Sequence, residues 1–179
     1  MSPRLALTAV VYGTPAPQGS KKAFATRRGS AAKGTLEYTG KVSVMEMSKK
    51  VAPWRTAVAE AVQAAIRSQI AHDRWEGVLS VPVEVRITFA LHRPKSVSVN
   101  RRPWPCVTPD QDKLIRSTLD GITMGGAWTD DKLAVRFVTE KLYAGTHGAL
   151  EAPGAVIEIW TLDGITPAAL AATIPAPTP

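Results

Sequence analysis

Between Asp110 and Asp131 the sequence gathers residue types that chemistry uses together. The stretch reads Thr108-Pro109-Asp110-Gln111-Asp112-Lys113-Leu114-Ile115-Arg116-Ser117-Thr118-Leu119-Asp120, and Trp128-Thr129-Asp130-Asp131 follows shortly after. Five of the chain's fifteen acidic residues fall within residues 108–131, in a protein whose net charge is +7. Crowded carboxylates repel one another, and a cation relieves the repulsion. Hard oxygen donors of this kind suit Mg²⁺ or Mn²⁺. A phosphodiester brought to such an ion by a basic surface is placed for hydrolysis, because the metal polarises the phosphoryl group and stabilises the leaving oxygen.

Each part of the cluster also has a purely structural reading. Thr108, Pro109 and Gln111 fit a capping box, with Thr108 as N-cap and Pro109 as first helical residue. Asp110 and Asp112 would then complement the positive end of the helix dipole. Asp112, Arg116 and Asp120 recur at four-residue spacing, which also makes a solvated ion-pair face. Asp130-Asp131 is a common turn composition. The combination of all of these in one short segment is what favours a site.

The elements that must position these residues can be read from periodicity. Residues 4–12 read as a strand. Residues 13–50 are rich in Gly, Ser, Thr and Lys and read as a long basic loop, with short extended pieces near Leu36–Tyr38. Residues 53–70 read as a helix, with Pro53 at its first position and Trp54, Val58, Val62, Ala65, Ile66 and Ile70 at three- and four-residue spacing. In residues 81–91, Val81, Val83, Val85, Ile87, Phe89 and Leu91 alternate with other residues, as a strand with a buried face does. Residues 92–107 form a second basic loop broken by three prolines. A helix follows over about 109–122, ended or loosened by Gly121, Gly125 and Gly126. Residues 133–143 and 155–162 read as two more strands. The expected fold is α+β: a single domain over residues 1–162, with one mixed sheet of about four strands and two main helices. Residues 163–179, rich in Ala and Pro, read as a disordered tail.

Composition narrows the function classes. The chain's 179 residues make one ordinary domain, and 45% hydrophobic content is that of a globular protein. No apolar run approaches the ~18 residues of a membrane span. The apolar stretch after Arg4 runs into Tyr12-Gly13-Thr14-Pro15 rather than a cleavage site, so it reads as a strand and not a leader. Cys106 is the single cysteine, which excludes an internal disulfide and fits the cytoplasm. None of the three histidines lies near it, so it reads as a small apolar residue. The basic balance points to a polyanion such as nucleic acid. The charge is concentrated in the two loops, and Lys21, Lys22, Arg27, Arg28, Arg93, Lys95, Arg101 and Arg102 are the candidate contacts to DNA. Trp104, flanked by prolines in the second loop, is the candidate for stacking on an unpaired base.

The acidic segment resembles the RusA family of Holliday-junction resolvases. The family's pattern is an Asp-x-Asp pair opening a helix and a basic residue four positions after the second Asp. Another Asp stands four further on, and an Asp-Asp pair roughly ten later. Here these are Asp110, Asp112, Arg116, Asp120 and Asp130-Asp131, with Trp128 as the aromatic residue shortly before the pair. Gly13-Thr14-Pro15-Ala16-Pro17-Gln18-Gly19-Ser20-Lys21 looks like the opening loop of phage members. The resemblance is strongest over residues 108–141. It implies a homodimer that cuts four-way DNA junctions in recombination and repair with Mg²⁺ or Mn²⁺, without a small-molecule cofactor or a membrane. By position, Asp110, Asp112 and Asp131 become the catalytic carboxylates and, with Asp130, the metal ligands. Asp120 and Lys113 support them. Arg116 falls where the family commonly has a catalytic lysine, and Lys113 replaces an asparagine. Arginine keeps the charge but does not give up its proton, which puts a proton-donor role in doubt.

Three other functions compete. A restriction-type nuclease would use Pro109-Asp110 with a later acid-x-Lys, but Glu140 and Lys141 are adjacent and point to opposite sheet faces. A metal-dependent nuclease of different DNA specificity fits the same residues. A non-catalytic DNA-binding protein fits the charge but not the acidic cluster, which repels phosphate.

Overall fold

The computed structural model describes residues 3–19, 21–28, 37–46, 49–98 and 104–162. The expected tail, 163–179, lies outside them, as do Arg101 and Arg102. The elements in chain order are β1 (Arg4–Tyr12), β2 (Lys21–Arg28), β3 (Glu37–Glu46), α1 (Val51–Ala71), β4 (Val83–Leu91), α2 (Gln111–Gly125), β5 (Ala134–Tyr143) and β6 (Gly154–Thr161). The main sheet has four strands in the order β1-β6-β4-β5. β6 is antiparallel to both β1 and β4, whereas β5 lies parallel to β4. The parallel pair is joined through α2, as a parallel connection requires a crossover. This is the α+β architecture with one mixed sheet and two main helices.

One side of the sheet carries the core. Leu7, Ala9 and Val11 of β1, Val85, Ile87 and Phe89 of β4, and Ile157 and Ile159 of β6 join Trp54, Val58 and Val62 of α1 and Leu114, Leu119 and Ile122 of α2 in one buried cluster. The period-two pattern of β4 is thus explained by helices covering one face. The other face is more polar. Glu84 is buried there between Arg86 and Arg136, with Nε atoms 2.5 and 3.1 Å from its two oxygens, and Arg86 stacks over Trp160 at 4.5 Å.

Three expectations change. Residues 13–50 are not one loop: β2 and β3 form a separate antiparallel pair, with Lys21 opposite Glu46 and Arg28 opposite Glu37. Two strands that pair mainly with each other need no long apolar stripe, so the hydrophobic pattern gave little sign of them. The capping box does not form. Asp110, in extended conformation, is the N-cap of α2 without a side-chain cap bond. The Gln111 side chain, which the box would use, instead donates to the Thr139 carbonyl at 2.7 Å and to the Thr139 hydroxyl. A tertiary partner on β5 thus displaces the local one.

The third change concerns glycine. Gly121 lies inside α2, whereas Gly125 is its last residue and Gly126 closes it in the left-handed conformation, with φ 79°. A Cβ on Gly121 would stand 2.7 Å from Val58 Cβ, and one on Gly125 2.7 Å from Val62 Cβ. The two glycines, one turn apart on one face, let α2 press its backbone against α1. Gly121→Val is therefore expected to destabilise the fold by about 1–3 kcal/mol, the usual cost of overpacking, read from chemical denaturation. A midpoint equal to wild type would show that the helices do not need this contact.

Candidate active site

The site is assembled on the exposed side of α2. Leu114, Thr118, Gly121 and Ile122 take the buried side, so four-residue spacing leaves Asp112, Arg116 and Asp120 in a row on the other. Asp131 reaches the same row from beyond the helix. After Gly126 the chain buries Trp128, whose indole N–H donates to the Thr123 hydroxyl at 2.7 Å. Asp130 then accepts a hydrogen bond from the Lys132 backbone N–H at 2.9 Å, which starts a short 3₁₀ turn over Asp131–Leu133 leading into β5.

A third segment closes the site. Residues leaving β1 are stapled along α2: the buried Ser117 hydroxyl donates to the Ala16 carbonyl at 2.6 Å, and the Gln18 N–H donates to the Lys113 carbonyl at 2.9 Å. The result is a cavity of about 630 Å³ lined by Gln18 and Gly19 on one side and by Asp112, Arg116, Asp120 and Asp131 on the other. Lys113 also lines it. Asp120 and Asp131 are shared with an adjoining cavity of about 470 Å³ that Arg55, Thr129 and Asp130 help to line.

The charges fall into pairs, with Asp112, Asp131 and Arg116 outside any ion pair among the described residues. Asp110 does not line either cavity. Its carboxylate accepts from Lys113 Nζ at 2.7 Å, and this bond holds Asp110 below the usual carboxylate range and Lys113 above the usual amine range. The Lys132 N–H likewise holds Asp130 low. Arg55, from α1, places Nη2 2.6 Å from the Asp120 carboxylate. Arg116 forms no ion pair with a described residue. Among the described residues no three acidic, histidine or cysteine side chains stand close enough to share one cation. The donors that do line the cavity, Asp112, Asp120 and Asp131, are hard oxygens. They suit Mg²⁺, which one or two carboxylates hold when waters and substrate phosphate complete the shell.

The remaining candidates separate. Lys21, Lys22, Arg27 and Arg28 lie on β2 of the hairpin. Lys95 is exposed. Arg93 has local partners: it donates to the Ser98 carbonyl and the Thr146 hydroxyl and stacks over Tyr143 at 4.7 Å, holding its loop to the end of β5. Trp104 is 61% exposed. Cys106 is a free, exposed thiol rather than a core residue. Glu140 and Lys141 do diverge: Glu140 accepts from Thr88, while Lys141 donates to the Val107 and Pro109 carbonyls and so fixes the entry to α2. Sequence reasoning missed Arg55 and Gln18 as site residues. Arg55 gave no signal, because only the helix crossing brings it to Asp120. No helix among the described residues is long and apolar enough to cross a membrane.

Comparison with known proteins gives a family. The family model described as endodeoxyribonuclease RusA matches residues 17–157, which spans the hairpin, both helices and the acidic cavity. No curated protein matches the chain.

The staple between β1's exit and α2 can be tested directly. Ser117→Ala removes the donor from a buried carbonyl and is expected to lower stability by about 1–2 kcal/mol, with a further loss of cleavage as the wall of the cavity loosens. A variant as stable and as active as wild type would show that the Ala16–Gly19 segment is held by other means.

Proposed function

Since the chain belongs to the RusA endodeoxyribonuclease family, we propose that it is a metal-dependent endonuclease that resolves four-way DNA junctions in recombination and repair, acting as a homodimer in the cytoplasm. The observation that carries this reading is the meeting of Asp112, Arg116 and Asp131 in one cavity, from a helix and from the turn beyond it. The net charge of +7 supports a polyanionic substrate.

Asp112 and Asp131 are the residues that would hold Mg²⁺ or Mn²⁺, with Asp130 and Asp110 beside them. Asp110, paired with Lys113, would join them only where that bond is given up. The ion supplies Lewis-acid polarisation of the phosphoryl group and charge stabilisation at the leaving oxygen. The protein's own groups do the rest. Arg116, unpaired within the described residues and always charged, holds a non-bridging phosphate oxygen and opposes the charge that develops on it. Lys113, once released from Asp110, adds a second cation at the cavity rim. Asp120, fixed by Arg55, keeps the row of side chains in register. Lys21, Lys22, Arg27, Arg28, Lys95, Arg101 and Arg102 supply contacts to the DNA backbone, which give affinity and register rather than sequence reading.

Two predictions test this reading. Asp110→Asn, Asp112→Asn and Asp131→Asn are each expected to abolish cleavage while leaving folding and DNA binding intact, because asparagine is nearly isosteric and still caps a helix. Arg116→Ala should lose about two orders of magnitude in turnover, and Arg116→Lys should retain much of it. Near wild-type rates in all three aspartate variants would move the active site elsewhere. Substrate and assembly are tested together by light scattering and a competition assay. Two nicks at symmetry-related places call for two sites, and a two-fold dimer is the commonest way to supply them. A strict monomer, or a protein that cuts linear duplex as readily as junctions at moderate salt, would leave a nuclease of a different DNA specificity.

A further inference from the structure

Gln18 occupies an unusual position in this cavity. Its side chain is among the buried polar groups, with 8% of its surface exposed, yet it lines the cavity that Asp112, Arg116 and Asp131 share. Its Oε1 is withdrawn from solvent and has no hydrogen-bond partner. Its amide N–H₂ is not withdrawn in this way and makes no hydrogen bond to a described residue, so it is the open end of the carboxamide. The backbone beneath it is firmly held, by its own N–H on the Lys113 carbonyl and by Ser117 on Ala16. A buried carbonyl oxygen without a partner is costly. Here a held backbone keeps the side chain in the cavity wall. Gly19, beside it, has no side chain to obstruct a ligand.

We propose that Gln18 is a further substrate-binding residue: its carboxamide N–H₂ donates to a non-bridging oxygen of the DNA phosphodiester that enters the cavity, across from Arg116. A neutral donor suits this wall. Phosphate needs hydrogen bonds on several sides, and a carboxamide supplies two donors without adding charge. Arg116 grips from α2 and Gln18 from the segment stapled to it, so the phosphate is held between two elements in fixed relation. This rests on the endonuclease reading above.

The test uses the full chain with junction DNA and Mg²⁺, beside binding measured without metal so that nothing is cut. Gln18→Met keeps the shape and removes the donor. Loss of one hydrogen bond to a charged group is expected to lower kcat/KM roughly tenfold to a hundredfold, and to weaken metal-free binding by a smaller factor. The melting temperature should hold or rise, because an unpartnered polar group has been removed. Gln18→Glu places another carboxylate in the cavity and should weaken metal-free binding further than Gln18→Met does. Gln18→Ala replaces Gln18→Met if the latter does not fold. Gln18→Met with wild-type kcat/KM overturns the proposal, as does a Gln18→Glu variant that binds junctions as tightly as wild type. If wild type itself cuts no DNA, the endonuclease reading fails instead, and metal-free binding by the Gln18 variants still decides whether this residue meets phosphate.

Discussion

The close approach of α2 to α1 is the constraint on which the rest of the molecule depends. With Gly121 and Gly125 set against Val58 and Val62, only the valine side chains separate the two backbones on that face. The rotation of α2 about its own axis is then fixed. Once Gly121 faces α1, Asp112 and Arg116 lie toward the exposed side of α2 and Asp120 stands at the edge nearest α1. The same contact brings Arg55 close enough to α2 for its guanidinium to meet Asp120 at 2.6 Å. Packing in the core and charge placement in the site are therefore one decision, since a helix turned by a third of a revolution would bury a carboxylate and expose Leu114.

Around that helix the protein brings in its remaining site groups by short backbone devices rather than by long side chains. A left-handed glycine cap, a buried tryptophan and an aspartate-capped 3₁₀ turn deliver Asp131. Two hydrogen bonds deliver Gln18. Lys141 on β5 fixes the chain where it enters α2, through the Val107 and Pro109 carbonyls. Each device holds backbone, and held backbone limits where a one- or two-carbon aspartate side chain can go.

Electrostatically the site is acidic within a basic protein, and it balances itself before any substrate arrives. Asp110 is matched by Lys113, Asp120 by Arg55 and Asp130 by Lys132. These pairs are at least partly exposed, so they contribute little to stability and can be exchanged at small cost. Within the described residues Asp112 forms no ion pair, and neither does Arg116. Asp131 forms none either, so the groups left over are two acids and one base in the same cavity, which a cation and a phosphate would complete.

Much of this was legible in the chain itself. β1 ran over the residues its apolar pattern gave, and α1, β4, β5 and β6 lay within two residues of theirs, because a buried stripe or alternating face repeats within a single element. The acidic row was legible for the same reason: Asp112, Arg116 and Asp120 need only a helix to align. What the sequence did not determine is everything set between elements. The β2–β3 pairing joins residues across an intervening segment. The start of α2 moved because Gln111 found Thr139 on another strand. Gly121 read as a helix end in one dimension and became, with Gly125, a helix contact in three. Arg55 lies 65 positions from Asp120, and Gln18 lies 95 from Lys113, whose carbonyl its N–H meets; no local period encodes such a meeting. Periodicity is a property of one element, whereas a cavity is a property of several, and only the packed structure brings their side chains to a common point.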